Sequence, residues 1–237
     1  MSKIIKIIGI IIGIELLILI NIYIIYLISY KKLDYYNKNL NSVVEVYSYT
    51  EDITNFGTAW FIDENVLVTN FHVIGYDINS EIQLYDNVCV RFYDEKDYTT
   101  VSILNYDSVL DIAFLKYDNE HKSKCFKKTF DYFASQDCHC IGNFNNYGLS
   151  YKKGKISLDE IKLEYNDKIS SFIQCDISIG PGDSGAPLFN NANKIVGMVS
   201  FRTKSNSGNV EQGYSYVIPS VVIYNYYNSL NYKSNIT

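Results

Sequence analysis

The chain has 237 residues, of which 47% are hydrophobic, 15% aromatic and 20% charged, and its formal net charge is -5. Plentiful apolar residues and a small net charge exclude an intrinsically disordered chain, and the 3 Pro and 13 Gly exclude a collagen-like or proline-rich polymer. A mildly acidic total without long basic runs argues against nucleic acid as a partner.

The first predicted element is a membrane-spanning helix. Residues 7–30 are almost continuously Ile, Leu, Gly and Tyr, with lysines on both sides. An apolar run of more than about 20 residues is long enough to cross a bilayer as a helix. A cleaved signal peptide has a shorter apolar region that ends in small residues, and neither feature is visible here. We therefore predict a single-pass signal anchor over residues 1–30, with membrane contact through residues 7–30.

The anchor leaves its orientation open, because the flanking lysines are nearly balanced and the positive-inside comparison does not choose a side. Glu15 and Asn21 lie inside the span, where polar groups are costly. Glu15 either contacts a partner helix or is a carboxyl that a strongly apolar helix tolerates, and the second interpretation is favoured. The rest of the protein lies C-terminal to the anchor, on a side and in a membrane that the sequence does not identify.

Residues 31–41 are predicted to be a polar linker, and residues 42–230 to be a single β-rich domain. Short runs rich in Val, Ile, Phe and Tyr recur there between polar turns, at residues 43–49, 58–62, 66–71, 101–104, 112–117, 170–177, 194–201 and 214–218. Regularly spaced short strands without long amphipathic helices favour an all-β sandwich or barrel. Short helices are expected after His72 and near residues 220–230, and residues 231–237 are a polar tail.

The five cysteines are an odd number, and their pairing does not follow from the sequence. The trio Cys138, His139 and Cys140 has residue types that bind metals. In a strand, however, the two cysteines face one way and the histidine the other, so the trio does not converge on an ion. We expect structural residues here and no metal site.

Three histidines are the candidates for a catalytic base. His121 lies in a charged loop and is expected to be solvated, and His139 is expected in a strand. His72 follows an apolar run and precedes Val73, where a strand ends and the chain turns. A lone histidine usually has no catalytic role, so the case for His72 depends on its companions.

A candidate nucleophile is Ser184, which lies in the Gly- and Pro-rich segment 180–187. Acyl transfer needs a hydroxyl on a tight turn, where neighbouring backbone N–H groups converge on the developing oxyanion. Gly182 and Gly185 permit such a backbone. The alternative is an ordinary surface loop, but such loops rarely lie between two apolar β runs.

A serine nucleophile also needs a base and a group that orients the base. Asp111 stands at the mouth of the apolar run 111–116, where a carboxylate can accept a hydrogen bond from an imidazole. The chain order is then His72, Asp111, Ser184. No histidine follows the serine, which excludes the α/β-hydrolase order of serine, acid and histidine. A subtilisin-type order would need an acid before His72, such as Asp63, and alternating helices and strands, a pattern that is absent here. The two-barrel trypsin-like arrangement remains.

With these residues assigned, the sequence after the linker resembles the protease domain of the HtrA/Deg group of trypsin-like serine proteases. Six segments in the same order carry the resemblance: Gly57–Ile62, Leu67–Ile74, Asp111–Lys116, Ile141–Phe144 with Gly154–Ser157, Gln174–Leu188, and Gly213–Ser220. The resemblance implies an all-β chymotrypsin/trypsin-like double β-barrel and a serine endopeptidase. It implies His72 as general base, Asp111 as its orienting acid and Ser184 as nucleophile. It also implies an oxyanion hole of the Gly182 and Ser184 N–H groups, with no cofactor.

The resemblance further implies how protein or peptide substrates bind. It assigns Val199, Ser200 and Phe201 to an edge that pairs with the substrate backbone, Ser178 to the base of the primary pocket, and Tyr214, Tyr216 and Val217 to its walls. Ser178 is uncharged, which argues against a strict Lys or Arg preference. A small or medium apolar side chain before the scissile bond is therefore expected.

Two positions depart from the group. HtrA proteins usually carry Asn where this chain has Asp183, and Gly where it has Ala186. In secreted trypsin relatives the corresponding Asp pairs with a newly cut N-terminus, but here that region continues into the anchor. We hypothesise that Asp183 makes the order of the oxyanion loop conditional on another donor. Many members trimerise, so a homotrimer is a further expectation, whereas no PDZ domain is expected.

The leading hypothesis is a membrane-anchored serine endopeptidase that acts in protein quality control or processing. One alternative is a catalytically silent protease fold that serves as a membrane-tethered binding or chaperone module. An intact set of His72, Asp111 and Ser184 argues against this alternative. A second alternative is a processing enzyme with one cognate substrate.

Overall fold

The structure is a computed structural model. It describes residues 2–78, 81–119, 121, 123–165, 168–201 and 213–230, with residues 2 and 31–38 described by their backbone alone. The chain divides into two compact units, Met1–Asn39 and Leu40–Thr237. The predicted tail, residues 231–237, lies outside the described residues.

The N-terminal helix α1 spans Ser2–Leu40. Its segment Lys3–Tyr30 has a mean hydropathy of 2.6 and none of it is buried, so by length and composition it is able to cross a membrane. Asn21 Nδ2 donates a hydrogen bond to the Leu17 carbonyl at 2.7 Å. This bond satisfies a polar side chain within the helix itself. The helix continues through most of residues 31–41, the stretch interpreted as a linker.

The first half of the second unit is a seven-stranded antiparallel sheet. Its strands are β1 (Val43–Tyr49), β2 (Thr54–Asp63), β3 (Val66–Thr69), β6 (Asn87–Arg91), β7 (Thr99–Thr100), β8 (Ser102–Asp107) and β9 (Ile112–Lys116), in the order β7-β6-β1-β2-β3-β9-β8. The edge strands β7 and β8 are joined through Val101 alone, so the sheet curls back on itself. Its apolar core includes Phe61, Leu67 and Leu115, all fully buried.

The second half is a closed six-stranded barrel. Its strands are β10 (Asp137–Gly142), β11 (Ser150–Tyr165), β12 (Lys168–Cys175), β13 (Pro187–Asn190), β14 (Ile195–Phe201) and β15 (Ser215–Pro219), in the order β10-β11-β12-β15-β14-β13. Pairing of β10 with β13 closes the barrel. Together the two halves confirm the predicted all-β double-barrel class.

Shorter elements connect these strands: the four-residue helix α2 (Phe71–Ile74), the hairpin of β4 (Gly75–Ile78) and β5 (Glu81–Leu84), a 3-10 turn (Phe144–Asn146) and the closing helix α3 (Ser220–Ser229). Helix α3 lies where the sequence predicted a short helix, whereas α2 begins one residue before His72 and not after it. Since α2 contains His72, it directly positions a candidate site residue.

The cysteine and histidine predictions have mixed outcomes. Cys138 and Cys140 face the barrel core, whereas His139 stacks on Phe189 with 5.1 Å between ring centroids, as strand alternation predicts. Burial lowers the pKa of His139 to about 4. His121 is half-buried: its ring stacks on Phe61 with 4.0 Å between ring centroids, so only part of the side chain is solvated as predicted. Among the described residues, no group of metal-ligating side chains is suited to an ion.

Candidate active site

His72 and Asp111 meet because two neighbouring strands bring them to the same end of the sheet. β3 and β9 pair antiparallel, with Thr69 opposite Ala113, so the residues just after β3 lie beside those just before β9. His72 Nδ1 lies 2.9 and 3.0 Å from the two Asp111 carboxylate oxygens. The His72 backbone N–H also donates to Asp111 Oδ1 at 3.0 Å. The carboxylate thus fixes both the position of the imidazole and the nitrogen that carries its proton.

Asp111 is held in an unusual backbone conformation and an enclosed position. Its φ is 56°, a left-handed value that costs a non-glycine residue about 1–3 kcal/mol. Its side chain is buried, and Ser200 Oγ and Tyr165 Oη donate to Asp111 Oδ2 at 2.7 and 3.1 Å. Asn70 Nδ2 donates to its carbonyl at 3.0 Å. The Ser200 and Tyr165 hydroxyls offset the cost of burying the carboxylate, and the Asn70 bond fixes the backbone beside it.

The pKa values of the pair are shifted apart. Burial alone raises the pKa of Asp111, but the charge of His72 and the hydrogen bonds from His72 and Ser200 outweigh it, so the pKa lies below 3.8. Burial alone lowers the pKa of His72, but the charge and hydrogen bond of Asp111 outweigh it, so the pKa lies above 6.5. His72 is therefore neutral, and able to accept a proton, only at pH values above this raised pKa.

Ser184 lies on a tight turn, and two positions of that turn, Gly182 and Gly185, accept only glycine. Gly182 and Gly185 both have φ of 88°. A Cβ at Gly182 would lie 2.0 Å from the Asn143 carbonyl oxygen, and one at Gly185 would lie 1.9 Å from the Thr58 carbonyl oxygen. Such contacts exclude any side chain, which explains the glycine-rich sequence around the serine.

The serine turn of the second barrel is tied to the first sheet through Thr58. Thr58 Oγ1 donates to the Gly182 carbonyl at 2.7 Å, and the Thr58 N–H donates to the Ser184 carbonyl at 2.8 Å. Thr69 Oγ1 in turn donates to the Thr58 carbonyl at 2.7 Å. These bonds connect the serine turn to β3, the strand that leads to His72.

His72, Gly182 and Ser184 line one surface cavity of about 300 Å³. The other residues around it are Asn55, Phe56, Asn145, Asn146 and Pro181. Ser184 Oγ donates to the Ser200 carbonyl at 3.1 Å. Within the described part of the chain, the N–H groups of Gly182 and Ser184 have no hydrogen-bond acceptor. Both donors are therefore available to an oxyanion.

The predicted substrate contacts are only partly brought to this site. Ser200 bonds both Ser184 and Asp111, and Phe201 follows it at the end of β14. Ser178 and Tyr214 are exposed side chains. Phe201 stacks on Tyr165 and on Tyr216, with ring centroids 4.5 and 5.1 Å apart. Phe201 thus belongs to an aromatic cluster beside the candidate site.

Val199 and Val217 differ from their predicted roles. The Val199 N–H donates to the Ala186 carbonyl at 2.8 Å, and the Val199 carbonyl accepts from Gly185 at 2.9 Å. Both backbone groups are thus engaged inside the domain instead of forming a free edge. Val217 is fully buried in the core of the second barrel, because its side chain points inward from β15, and it cannot line a pocket.

A family model described as a trypsin-like peptidase domain matches residues 57–198 of the chain. The chain belongs to this family. Among curated relatives, probable DegP-like periplasmic serine endoproteases of Rickettsia conorii and Rickettsia prowazekii are 29% and 31% identical over 170 residues, 69% of this chain in each case. The matches span 31% of each relative's length. The Do-like HtrA serine protease of Bacillus subtilis is 30% identical over 162 residues.

Solved structures share the trypsin-like fold. The HtrA-type protease AlgW with tripeptide has a TM-score of 0.70 and 24% identity, covering 85% of this chain and 64% of that one. The Rv3671c protease from M. tuberculosis, in its active form, has a TM-score of 0.70 and 17% identity, covering 83% and 84%. These comparisons show that the chain belongs to the trypsin-like peptidase family, and several of the similar proteins are HtrA-type or DegP-like proteases, the group that the sequence resembles.

Two polar residues of the trypsin-like domain were missed by sequence reasoning. Tyr165 lies at the tip of the long β11–β12 hairpin, 54 positions from Asp111 in the chain, yet it donates to the carboxylate. Lys152 lies on β11 and forms an ion pair with Asp183. A tyrosine in a strand and a lysine in a polar hairpin carry no local signal of such partners, because the contacts arise from how the hairpin folds over the site.

We predict that Tyr165→Phe shifts the pH dependence of catalysis while leaving most of the activity. The phenol disperses part of the charge on Asp111, so its removal makes the carboxylate a stronger partner for protonated His72. A hydrogen bond worth about 0.5–1.5 kcal/mol corresponds to a shift of up to about one pH unit. The acid limb of kcat/KM against pH should therefore move to higher pH. An unmoved limb would contradict this role for Tyr165.

Proposed function

We propose that the protein is a membrane-anchored serine endopeptidase that cleaves protein substrates through an acyl-enzyme. The observation that carries the proposal is the cavity at which three features meet. His72 is oriented there by Asp111, Ser184 lies on its turn, and the N–H groups of Gly182 and Ser184 have no acceptor among the residues that the structure describes. These are a base, a nucleophile and an oxyanion site in one place.

In the proposed mechanism, Ser184 Oγ attacks the scissile carbonyl carbon while its proton passes to His72 Nε2. In the structure the hydroxyl donates to the Ser200 carbonyl, so it must leave this acceptor before its proton can pass to His72. The Gly182 and Ser184 N–H groups donate to the oxyanion of the tetrahedral intermediate. His72 then protonates the leaving amine, and the acyl-enzyme is formed.

Deacylation repeats these steps with water in place of the serine hydroxyl. His72 takes a proton from the water, which attacks the ester carbonyl, and then returns the proton to Ser184 Oγ. Asp111 remains ionised throughout and stabilises the imidazolium, as its lowered pKa supports. The side chains and backbone of the chain supply every proton transfer, so the proposal includes no cofactor.

The substrates that we propose are unfolded or membrane-proximal protein segments, since a protease domain cleaves extended chain. Ser178 is uncharged, which supports a small or medium apolar side chain before the scissile bond. The relatives from Rickettsia are named as probable periplasmic serine endoproteases, which supports a role in quality control or processing. A homotrimer stays a prediction.

The proposed anchor is α1, and its retention in a membrane is testable. We expect the full chain, expressed with membranes present, to resist alkaline carbonate extraction and to keep residues 1–30 in intact-mass measurement. Replacing Ile12 and Ile18 with lysine should release it, because each central Lys costs about 2.5–3.5 kcal/mol in a membrane helix. A shortened, extractable product would instead identify residues 1–30 as a cleaved signal sequence.

The peptidase proposal is tested with the full chain in detergent. A fluorophosphonate probe should label the protein, mass mapping should assign the adduct to Ser184, and a casein-like unfolded substrate should be cleaved. Addition of the probe should stop cleavage in proportion to labelling. A folded protein that neither labels nor cleaves between pH 6 and 9, yet retains unfolded casein, would favour the silent binding module.

A further inference from the structure

The residue before the proposed nucleophile has an internal cation as its partner. Lys152 Nζ forms an ion pair with Asp183 Oδ2, and the Gly180 N–H donates to the same oxygen at 2.7 Å. The Asp183 side chain is fully buried and that of Lys152 is 18% exposed. The contact therefore lies beneath the turn that carries the Gly182 and Ser184 N–H groups.

The position of Lys152 is fixed by several elements. It lies on β11 opposite Cys140 of β10, and its ammonium lies 4.1 Å from the centre of the Phe144 ring. That ring packs on Gly180, where an added Cβ would lie 2.3 Å from it. The ammonium thus contacts an aromatic ring as well as the carboxylate, and little of it reaches water.

A buried carboxylate depends strongly on such a partner. Removing one member of a buried ion pair leaves a charge without compensation in a low-dielectric site. The turn can relieve that cost by rotating Asp183 outward to water. Because Asp183 lies between Gly182 and Ser184, this rotation would also turn their N–H groups away from the cavity.

We propose that Lys152 is a positioning residue whose ammonium holds the oxyanion loop in its active arrangement. It supplies from within the domain the positive charge that Asp183 requires, so the loop is ordered without any amine freed by cleavage of the chain. This inference rests on the proposed peptidase function, and it identifies the donor on which the order of the Asp183 loop depends.

The test compares four variants of the full chain in detergent: Lys152→Met, Asp183→Asn, the double variant, and Lys155→Met as the control. Lys155 lies on the same strand and pairs with Asp137, but both side chains are more than half exposed. Lys152→Met should lower kcat by about 100-fold with little change in KM, the size of effect expected when an oxyanion donor is lost. Lys155→Met should leave kcat unchanged.

The double variant shows whether Lys152→Met loses activity because the charge of Asp183 is left without its cation or because the packing of the Lys152 side chain is lost. The neutral amide introduced by Asp183→Asn needs no cation, so Lys152→Met in that background should recover kcat to within about tenfold of the wild type. The kcat of Asp183→Asn alone should also be lowered less than the kcat of Lys152→Met. Hydrogen exchange of a peptide covering residues 180–187 should speed up in Lys152→Met and slow again in the double variant. This readout does not require enzyme activity.

Full activity of Lys152→Met, or equal losses in Lys152→Met and the double variant, would overturn the inference while leaving the proposed function intact. A wild-type protein that neither reacts with the fluorophosphonate nor cleaves casein would instead overturn the proposed function. The exchange experiment would still test whether Lys152 orders the loop, because it does not depend on activity. Unchanged exchange across all variants would reject that role.

Discussion

Replacing Ser184 with alanine is expected to abolish both proteolysis and fluorophosphonate labelling. The hydroxyl is the atom that forms the acyl bond, and loss of a serine nucleophile lowers kcat on the order of 10^6-fold in enzymes of this chemistry. The fold should persist, because among the described residues Ser184 Oγ makes one hydrogen bond, to the Ser200 carbonyl. Such a bond contributes about 0.5–1.5 kcal/mol to stability. Casein cleavage, labelling and thermal unfolding should be measured together.

Ser102→Ala is the matched control for this variant. Ser102 is an exposed serine on β8, so its loss should leave cleavage and labelling at wild-type levels. Loss of a serine nucleophile leaves a residual rate far below about a thousandth of the wild-type rate. If Ser184→Ala cleaved casein faster than that, another nucleophile would have to carry the reaction. That result would contradict the proposed function.

Asp111→Asn should lower kcat on the order of 10^4-fold without unfolding the protein. The amide can fill the same space, but it lacks the charge that stabilises imidazolium and it favours the wrong tautomer of His72. Both carboxylate oxygens lie within 3.0 Å of His72 Nδ1, so the substitution changes the closest contact of the base. Single-turnover cleavage and circular dichroism would separate lost chemistry from lost structure.

The same variant should change the pH dependence in a fixed direction. The charge and hydrogen bond of Asp111 raise the pKa of His72 above 6.5 against the effect of burial. Wild-type kcat/KM should therefore fall as the pH drops through a value above 6.5, as His72 becomes protonated. Asp111→Asn removes the charge that raises the pKa of His72, so His72 stays neutral, and the residual activity should persist, to lower pH.

Asp118→Asn provides the control for charge removal near this strand. Asp118 pairs with Lys116 at 2.7 Å, and both side chains are more than half exposed, where ion pairs contribute little. Its kcat and pH profile should match the wild type. If the acid limb lay at the same pH in Asp111→Asn as in the wild type, Asp111 would not set the pKa of His72.

Much of this protein followed from local sequence. The apolar run of residues 7–30 predicted a long helix by its length, because a membrane-spanning element must be continuous. The alternating runs predicted an all-β class, because one strand face packs on the core. The glycines around Ser184 indicated the turn, because a positive φ and a close backbone approach leave a local composition that can be read directly.

What only the tertiary structure decided concerns partners that are distant in the chain. The sequence showed that Asp183 was unusual, but not that Lys152 of β11 reaches it, and nothing indicated that Tyr165 donates to Asp111. Val199 and Val217 matched a family segment in order, yet barrel closure directs their bonding groups and side chains inward. The 237 residues and their composition determined a helix and a β-rich domain, since hydrophobic periodicity is local. Which charges meet was decided by strand register and hairpin folding, because these bring together residues that no spacing relates.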